Sequence, residues 1–255
     1  MSRFKFSVGA LRILAALAPL CVALHAHSQE PAPAGPVAAP PEVPAPGPAP
    51  APAPPPGKHA DFGKEMPGRD ARYIADWVVD SGDSRGTPFA IVDKKAARVY
   101  VFNADGTPRG AAAALLGIAI GDDSVPGIGD RELSAIRVQD RTTPAGRFDV
   151  ALGRNAHKKT ILWVDYDAAI SMHPVINTKP LERRPHRLAT PTPLDNRISF
   201  GCINVPIPFF ETVIHPTFLT TSGVVYVLPE VRPLQSVFTA AYEVNDVGNR
   251  LPRLR

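Results

Sequence analysis

The sequence predicts a mainly β domain, an antiparallel β-sandwich or barrel with one or two short helices. Short runs rich in Val, Ile, Phe and Ala recur between residues 89 and 228, and turn-forming residues separate them. The apolar periodicity of a helix is confined to two places, near residues 70–81 and 208–215. A parallel α/β sheet would need a helix between most successive strands, so that class is not expected.

The amino-terminal 60 residues are expected to lie outside this domain. A basic start, an apolar run over residues 13–24 and small residues just before position 28 are typical of a secretory signal peptide, residues 1–28. Residues 29–60 are largely Pro, Ala and Gly, a composition that cannot bury a core and predicts an extended linker. We therefore expect export to the periplasm or cell envelope.

Charge and motifs exclude several classes of partner. The whole chain carries +4, but residues 1–28 contain three basic residues and no acidic one, so the mature chain would carry only +1. A nucleic-acid partner is therefore not expected. The sequence has no Gly-Lys-Ser/Thr phosphate loop and no His-Glu-x-x-His metal pattern, so neither a metal nor another cofactor is expected.

The domain begins with a helical lead-in over residues 61–85. Asp70 is placed to cap a helix that ends at Ser81-Gly82. The apolar residues of this helix fall on one face: Ala71, Ile74, Ala75 and Val78.

Seven strands and one further helix are predicted next, within a domain that covers residues 86–232. A turn over residues 103–106 closes a hairpin, and the helix covers residues 208–215. A loosely held tail is expected over residues 233–255. The strands are predicted at residues 89–93, 96–102, 112–120, 146–152, 160–164, 169–173 and 224–228.

Removal of residues 1–28 leaves Cys202 as the only cysteine. In an oxidising compartment it would have no partner for an internal disulfide. A lone cysteine is often a small buried apolar residue. Its place after Gly201 instead favours a nucleophile, because a glycine there removes a side chain that would block a substrate carbonyl.

A cysteine nucleophile needs a base, and His173 has the most suitable setting among the five histidines outside residues 1–28. Strand alternation puts Ile170 and Met172 on one face and Ser171 and His173 on the other. His173 could also be a core histidine. His186, in the polar segment between the two motifs, is the alternative base.

The residues around Cys202 are candidates to stabilise an oxyanion. The backbone N–H groups of Gly201, Cys202 and Ile203 lie on a predicted tight turn. Asn204 could orient the turn or the substrate, or it could cap the following helix.

At this point two segments, residues 170–174 and 199–204, resemble the catalytic domain of the L,D-transpeptidases. The likeness extends to residues 143–148 and to the turn at Asp105-Gly106, and it covers roughly residues 89–230. The resemblance implies an enzyme that modifies peptidoglycan. In that family the cysteine attacks a tetrapeptide stem, releases the terminal D-alanine, and passes the acyl group to an amine on another stem or on a lipoprotein.

The resemblance also implies roles for individual residues. Cys202 corresponds to the nucleophile and His173 to the base, which in the family is held by a backbone carbonyl. Ser199 and Gly201 correspond to the loop that frames the cysteine, and Asn204 closes the motif. A monomer without cofactors is implied, as is acylation of the sulfur by a carbapenem.

This chain departs from the family pattern in two ways. Phe200 stands where the family has a histidine, and the segment between His173 and Ser199 is longer than usual, which predicts an inserted lid. We hypothesise that basic residues of this region bind carboxylates of the stems, although such a loop could simply be solvated. These residues are Lys179, Arg183, Arg184, Arg187 and Arg197.

Two alternatives remain open from the sequence. The same Cys/His site could use water as the acceptor, as in an amidase or an L,D-carboxypeptidase. Alternatively, the chain could be a catalytically silent wall-binding module in which Phe200 marks lost chemistry.

Overall fold

A computed structural model describes residues 56–244. The predicted signal peptide, most of the predicted linker and the last part of the predicted tail lie outside the described residues. Within residues 56–244 no helix has the length and apolar character needed to cross a membrane.

Ten strands occur in residues 56–244, and eight of them form one sheet in the order β3-β2-β1-β10-β5-β6-β7-β9. The remaining two, β4 and β8, form a small parallel pair. The strands are β1 Phe89–Asp93, β2 Arg98–Phe102, β3 Pro108–Ala113, β4 Leu116–Gly117, β5 Gly146–Arg154, β6 Thr160–Asp165, β7 Ile170–Pro174, β8 Arg197–Ser199, β9 Ile203–Val205 and β10 Gly223–Val227.

The large sheet is mostly antiparallel and nearly closed on itself. Two of its pairings are parallel, β1 with β10 and β7 with β9, which the sequence interpretation did not anticipate. Beyond β3, Leu115 exchanges two backbone hydrogen bonds with Asn204 of β9, at 2.8 and 2.9 Å. Because β3 and β9 are the two ends of the strand order, this bridge brings the edges together. The predicted mainly β sandwich or barrel is confirmed, with a mixed sheet in place of a purely antiparallel one.

The first helix, α1, covers Arg69–Ser81 and packs on the outer face of the sheet. The predicted apolar face is confirmed, since all four of its residues are fully buried. The cap is different, because Gly68 occupies the N-cap position and Asp70 lies in the first turn. Its carboxylate pairs with Lys95 at 3.1 Å instead of capping. Gly82 ends the helix in the left-handed conformation, at φ 70°.

Several element boundaries differ from those predicted. The third strand begins at Pro108 and stops at Ala113, and a break separates it from the short β4. The helix after β9 is longer than expected and has three parts: α3 Ile207–Phe209, a π-helical turn Phe210–Ile214, and α4 His215–Phe218.

The ends of the described chain are held by contacts with the domain. Lys58, within the predicted linker, donates its backbone N–H to Asp80 at 2.9 Å. In the predicted tail a short helix, α5 Leu234–Val237, is followed by the buried Phe238, which packs against Tyr226. Packed structure therefore reaches beyond residues 61–232.

An inserted segment, residues 176–196, separates β7 from β8, and we call it the lid. It contains a 3-10 turn, Pro180–Glu182, and the helix α2, Arg184–Ala189. Arg187 holds the lid together by donating to the backbone oxygens of Glu182 and Asp195, at 2.7 and 2.6 Å.

Candidate active site

Cys202 lies in a tight turn between β8 and β9, and hydroxyl groups fix the backbone of this turn. Ser199 Oγ donates to the carbonyl of Cys202 at 2.6 Å and accepts the N–H of Gly201 at 3.1 Å. Thr143 Oγ1 donates to the carbonyl of Gly201 at 2.8 Å and accepts the N–H of Gly117. The upstream motif at residues 143–148 therefore reaches the cysteine turn through its first side chain.

Gly201 is required by the fold itself. Its φ is +129°, a region that side-chain-bearing residues rarely adopt. A Cβ atom at this position would lie 2.6 Å from the carbonyl oxygen of Thr142 and 2.7 Å from Ile170 Cδ1. The sequence interpretation attributed this glycine to substrate access, whereas the observed obstruction comes from the protein's own backbone and core.

His173 and Cys202 are brought together by the parallel pairing of β7 with β9. Met172 pairs with Ile203 and His173 pairs with Asn204, so the histidine lies beside the end of the cysteine turn. The predicted alternation is confirmed, because Met172 is buried in the core and His173 lines a cavity on the opposite face.

The orientation of the His173 ring follows from its backbone partner. Nδ1 lies 2.8 Å from the carbonyl oxygen of Pro174, and because a carbonyl only accepts, Nδ1 carries the proton. Nε2 then carries the lone pair that can accept a proton, and the Asn204 amide nitrogen lies 3.3 Å from it. The histidine is thus held by a backbone carbonyl and not by a carboxylate.

The thiol and the imidazole shift each other's pKa in opposite directions. Burial would raise the pKa of Cys202, but a hydrogen bond to His173 and the charge of that ring lower it more, so the net shift is downward. Burial would likewise lower the pKa of His173, yet the hydrogen bond to Cys202 and its negative charge raise it overall. Ser171 adds to the effect on the sulfur, since its Oγ lies 3.7 Å from Sγ. Both shifts favour a thiolate beside an imidazolium.

Two cavities meet at Cys202 and His173. The larger, about 810 Å³, runs along β6 and β7 toward the helical segment after β9. The smaller, about 280 Å³, extends under the lid and contains both charged and apolar side chains. Three residues line both cavities: His173, Ile176 and Cys202. The larger cavity is also lined by Trp163, Phe210, Glu211 and His215, and the smaller by Lys179, Glu182, Arg184, Phe200 and Asn204.

Phe200 lines the smaller cavity and lies against a residue that the sequence analysis missed. The guanidinium carbon of Arg141 is 3.9 Å from the centre of the Phe200 ring, which is the geometry of a cation–π contact. Arg141 also donates twice to the carbonyl of Ile136, at 2.9 and 3.1 Å. Arg141 precedes the matched motif, and no sequence pattern marks it.

The remaining candidate residues are distributed over separate contacts. Arg197 forms an ion pair with Glu230 and donates to the carbonyl of Lys94 at 3.0 Å, whereas Arg187 is bound within the lid. His186 is exposed on α2. Neither these three residues nor Arg183 line either cavity, so within the described chain the predicted basic cluster contributes only Lys179 and Arg184 to the site.

Asn204 is almost fully buried, at 1% exposure, and its amide is engaged within the protein. Its Oδ1 accepts from Arg184 Nη1 at 2.8 Å, and its Nδ2 lies 3.3 Å from both His173 Nε2 and the Cys202 carbonyl oxygen. Ile203 is buried in β9. Across residues 56–244 there is no group of three or more His, Cys, Asp or Glu side chains that could hold a metal ion.

Comparisons with known proteins were made for the whole chain, and no protein-family model and no curated protein matches it. Solved structures do match. These neighbours include L,D-transpeptidases. The helical cell shape determining protein Pgp2 from Campylobacter jejuni is 14% identical with a TM-score of 0.37, over 64% of this chain and 57% of that one.

Two further matches are L,D-transpeptidases by name. One from Mycobacterium tuberculosis is 15% identical with a TM-score of 0.33, over 55% of this chain and 57% of that one. The catalytic domain of the E. faecium L,D-transpeptidase is 15% identical with a TM-score of 0.31, over 56% of this chain and 98% of that one. The chain spans little more than half of the Pgp2 and M. tuberculosis structures. At such low scores the likeness adds nothing about the site, whose chemistry is inferred from its own geometry.

Proposed function

We propose that this protein is an exported cysteine acyltransferase, an L,D-transpeptidase, that acts on peptidoglycan stem peptides through a thioester at Cys202. The observation that carries the proposal is the meeting of two cavities at a single thiol–imidazole pair. A transfer between two peptides needs one donor and one acceptor at the same sulfur. Two cavities sharing Cys202 and His173 meet that need.

In the first half-reaction the thiolate of Cys202 attacks the carbonyl carbon of the peptide bond before the terminal D-alanine. The C–S bond forms, the C–N bond breaks, and the imidazolium of His173 gives its proton to the departing amine. In the second half-reaction an amine attacks the thioester and His173 takes its proton. The new C–N bond forms and the sulfur leaves as a thiolate, ready for another cycle.

The oxyanion formed in each half-reaction needs a hydrogen-bond donor. Of the three candidate amides, that of Gly201 already donates to Ser199 Oγ, and Ile203 belongs to a sheet strand. The N–H of Cys202 has no acceptor among the hydrogen bonds of residues 56–244. We assign the oxyanion contact to this amide.

Muropeptide analysis by mass spectrometry tests the proposal. The full-length chain and its Cys202→Ala variant are incubated with disaccharide tetrapeptides. Crosslinked dimers lacking one D-alanine are expected from the wild type alone. Tripeptides without dimers would assign the site to an L,D-carboxypeptidase, because water would then be the acceptor. Equal products from both chains, or none from either, would contradict the enzyme and favour a silent wall-binding module.

The acceptor amine and the location of the protein are part of the same proposal. A stem peptide is the first acceptor to test and a lipoprotein amine the second, with the protein acting as a monomer in the periplasm or cell envelope. Cell fractionation with an epitope at the carboxyl terminus is expected to place the protein in the envelope fraction. Recovery in the cytosol at full length would contradict export.

A further inference from the structure

We propose that Arg184, in the lid, is a positioning residue for the base His173 and acts through Asn204. This goes deeper into the proposed function, because it rests on the role of His173 as the base. Arg184 belongs to the inserted segment, which the sequence analysis regarded as a surface for substrate carboxylates. Its contacts point toward the protein's own site instead.

The contacts form a continuous chain from the lid to the imidazole. Arg184 Nε donates to Glu182 Oε2 at 2.5 Å, which fixes the plane of the guanidinium. Arg184 Nη1 then donates to Asn204 Oδ1 at 2.8 Å. On its other side the Asn204 amide places Nδ2 3.3 Å from His173 Nε2. The arginine and the Cys202 carbonyl together determine which end of the amide faces the histidine.

The alternative orientation of the amide is unfavourable at every contact. If Asn204 were turned over, its NH₂ group would face the guanidinium of Arg184, so that two donors would oppose each other. Its oxygen would face the Cys202 carbonyl, and would also attract a proton to His173 Nε2. Because Asn204 is buried, water could not relieve these contacts.

The consequence for the base is a fixed tautomer. With the carbonyl of Pro174 holding the proton on Nδ1 and the NH₂ group of Asn204 facing Nε2, the imidazole keeps its unprotonated nitrogen on the side of Cys202. Loss of Arg184 would remove one of the two contacts that orient Asn204 and would let its oxygen turn toward Nε2, where an oxygen favours the protonated ring. More Cys202 side chains would then be thiolates near neutral pH.

The charged groups around His173 come from several elements, and the positive charge of Arg184 acts directly to lower the pKa of His173. The direct charge of Arg184 must therefore be separated from its effect through Asn204. The other charged or titratable groups that line the two cavities are Cys202, Lys179, Glu182, His157, Lys159, Glu211 and His215.

A double-mutant cycle on the alkylation of Cys202 makes this separation. The rate constant for iodoacetamide is measured near neutral pH in the full-length chain and in Arg184→Met, Asn204→Ala and the double variant. We expect each single change to speed alkylation by up to about tenfold, on the order of one hydrogen bond to a charged group. The double variant is expected to be no faster than the faster single variant, because both changes break one chain of contacts.

Two further variants complete the design. Arg109→Met is the matched control, because Nη1 of this exposed arginine also donates to an asparagine, Asn103, at 3.1 Å. Both residues are far along the chain from Cys202, and the alkylation rate is expected to stay unchanged. Arg184→Lys keeps the charge and one donor and is expected to return the rate part of the way to the wild-type value. If Asn204→Ala does not fold by circular dichroism, ring ¹⁵N shifts of His173 in Arg184→Met give the answer, with a larger imidazolium fraction at a given pH expected.

The inference is overturned if Arg184→Met alkylates at the wild-type rate or more slowly, or if it speeds alkylation equally with and without Asn204. The second result would mean that the arginine acts by its charge alone. An unchanged imidazolium fraction in the ¹⁵N spectrum would also overturn it. Alkylation needs no peptidoglycan, so the two proposals can fail separately. If Arg184 and Asn204 prove non-additive in alkylation but the protein does not crosslink stems, the proposed function is contradicted and the positioning role stands.

Discussion

The substitution Gly201→Ala tests the account of the cysteine turn. The added Cβ would meet a backbone oxygen at 2.6 Å and a core methyl group at 2.7 Å, while the backbone keeps φ at +129°. The conformational cost for a residue other than glycine is about 1–2 kcal/mol. Overpacking adds about 1–3 kcal/mol, because neither neighbour can move without disturbing Thr142 or Ile170. We expect a loss of about 3 kcal/mol in the free energy of unfolding.

The assay is thermal unfolding by circular dichroism, with Gly82→Ala as the matched control. Gly82 also has a positive φ, +70°, but its added Cβ would meet nothing within 4 Å. For a domain of this size each kcal/mol lowers Tm by about 2–4 °C, so Gly201→Ala is expected to lose about 6–12 °C and the control, with a conformational cost of about 1.5 kcal/mol, about 3–6 °C. Equal losses in the two variants would refute the close approach of Thr142 and Ile170.

Three further predictions concern the network behind the site. Lys94→Met is expected to lower the free energy of unfolding by about 3–5 kcal/mol in chemical denaturation, since Lys94 is buried and pairs with Asp122 at 2.8 Å. The control Lys95→Met removes an exposed ion pair and should lower it by less than about 1 kcal/mol. Burial would raise the pKa of Asp122, but hydrogen bonds from Lys94 and three backbone N–H groups lower it further. Its contribution to the free energy of unfolding is therefore complete above the unfolded pKa of about 4 and is lost as the pH falls toward the folded pKa. Asp122→Asn should reduce the loss of stability between neutral and acidic pH. An unchanged pH dependence of the free energy of unfolding would contradict the assignment. Ser199→Ala removes the hydroxyl that bonds both the Cys202 carbonyl and the Gly201 N–H. We expect slower alkylation of Cys202 and a loss of about 1–3 kcal/mol in the free energy of unfolding. Wild-type values for both would show that the turn needs no such support.

The sequence was sufficient to predict most strands, because alternation and turn residues are local signals. It could not give the two parallel pairings. Residues 89 and 224 become neighbours through packing of the whole sheet, and nothing near either one encodes that register. The predicted cap at Asp70 was wrong because Gly68 occupies the N-cap position, and the Asp70 carboxylate pairs with Lys95, a residue distant in the chain.

The site could be predicted in part for the same reason. Strand alternation was enough to place His173 opposite the core, and the single cysteine marked the turn. The steric requirement for glycine at position 201 could not be predicted from the sequence, because Thr142 and Ile170 approach Gly201 from distant parts of the chain. The link from Arg184 to Asn204 depends on how the lid folds back over β9, which no periodic pattern describes.

The central claim is that His173 ionises the sulfur of Cys202, and the pH dependence of alkylation tests it most directly. Rates of reaction with iodoacetamide are measured across the titration of the thiol in the wild type and in His173→Gln. The wild type is expected to lose reactivity only below the ordinary thiol pKa of about 8.5, and the variant is expected to move back toward that value or above it. Identical profiles, or a wild-type inflection at the ordinary thiol value, would contradict the pairing of the two residues.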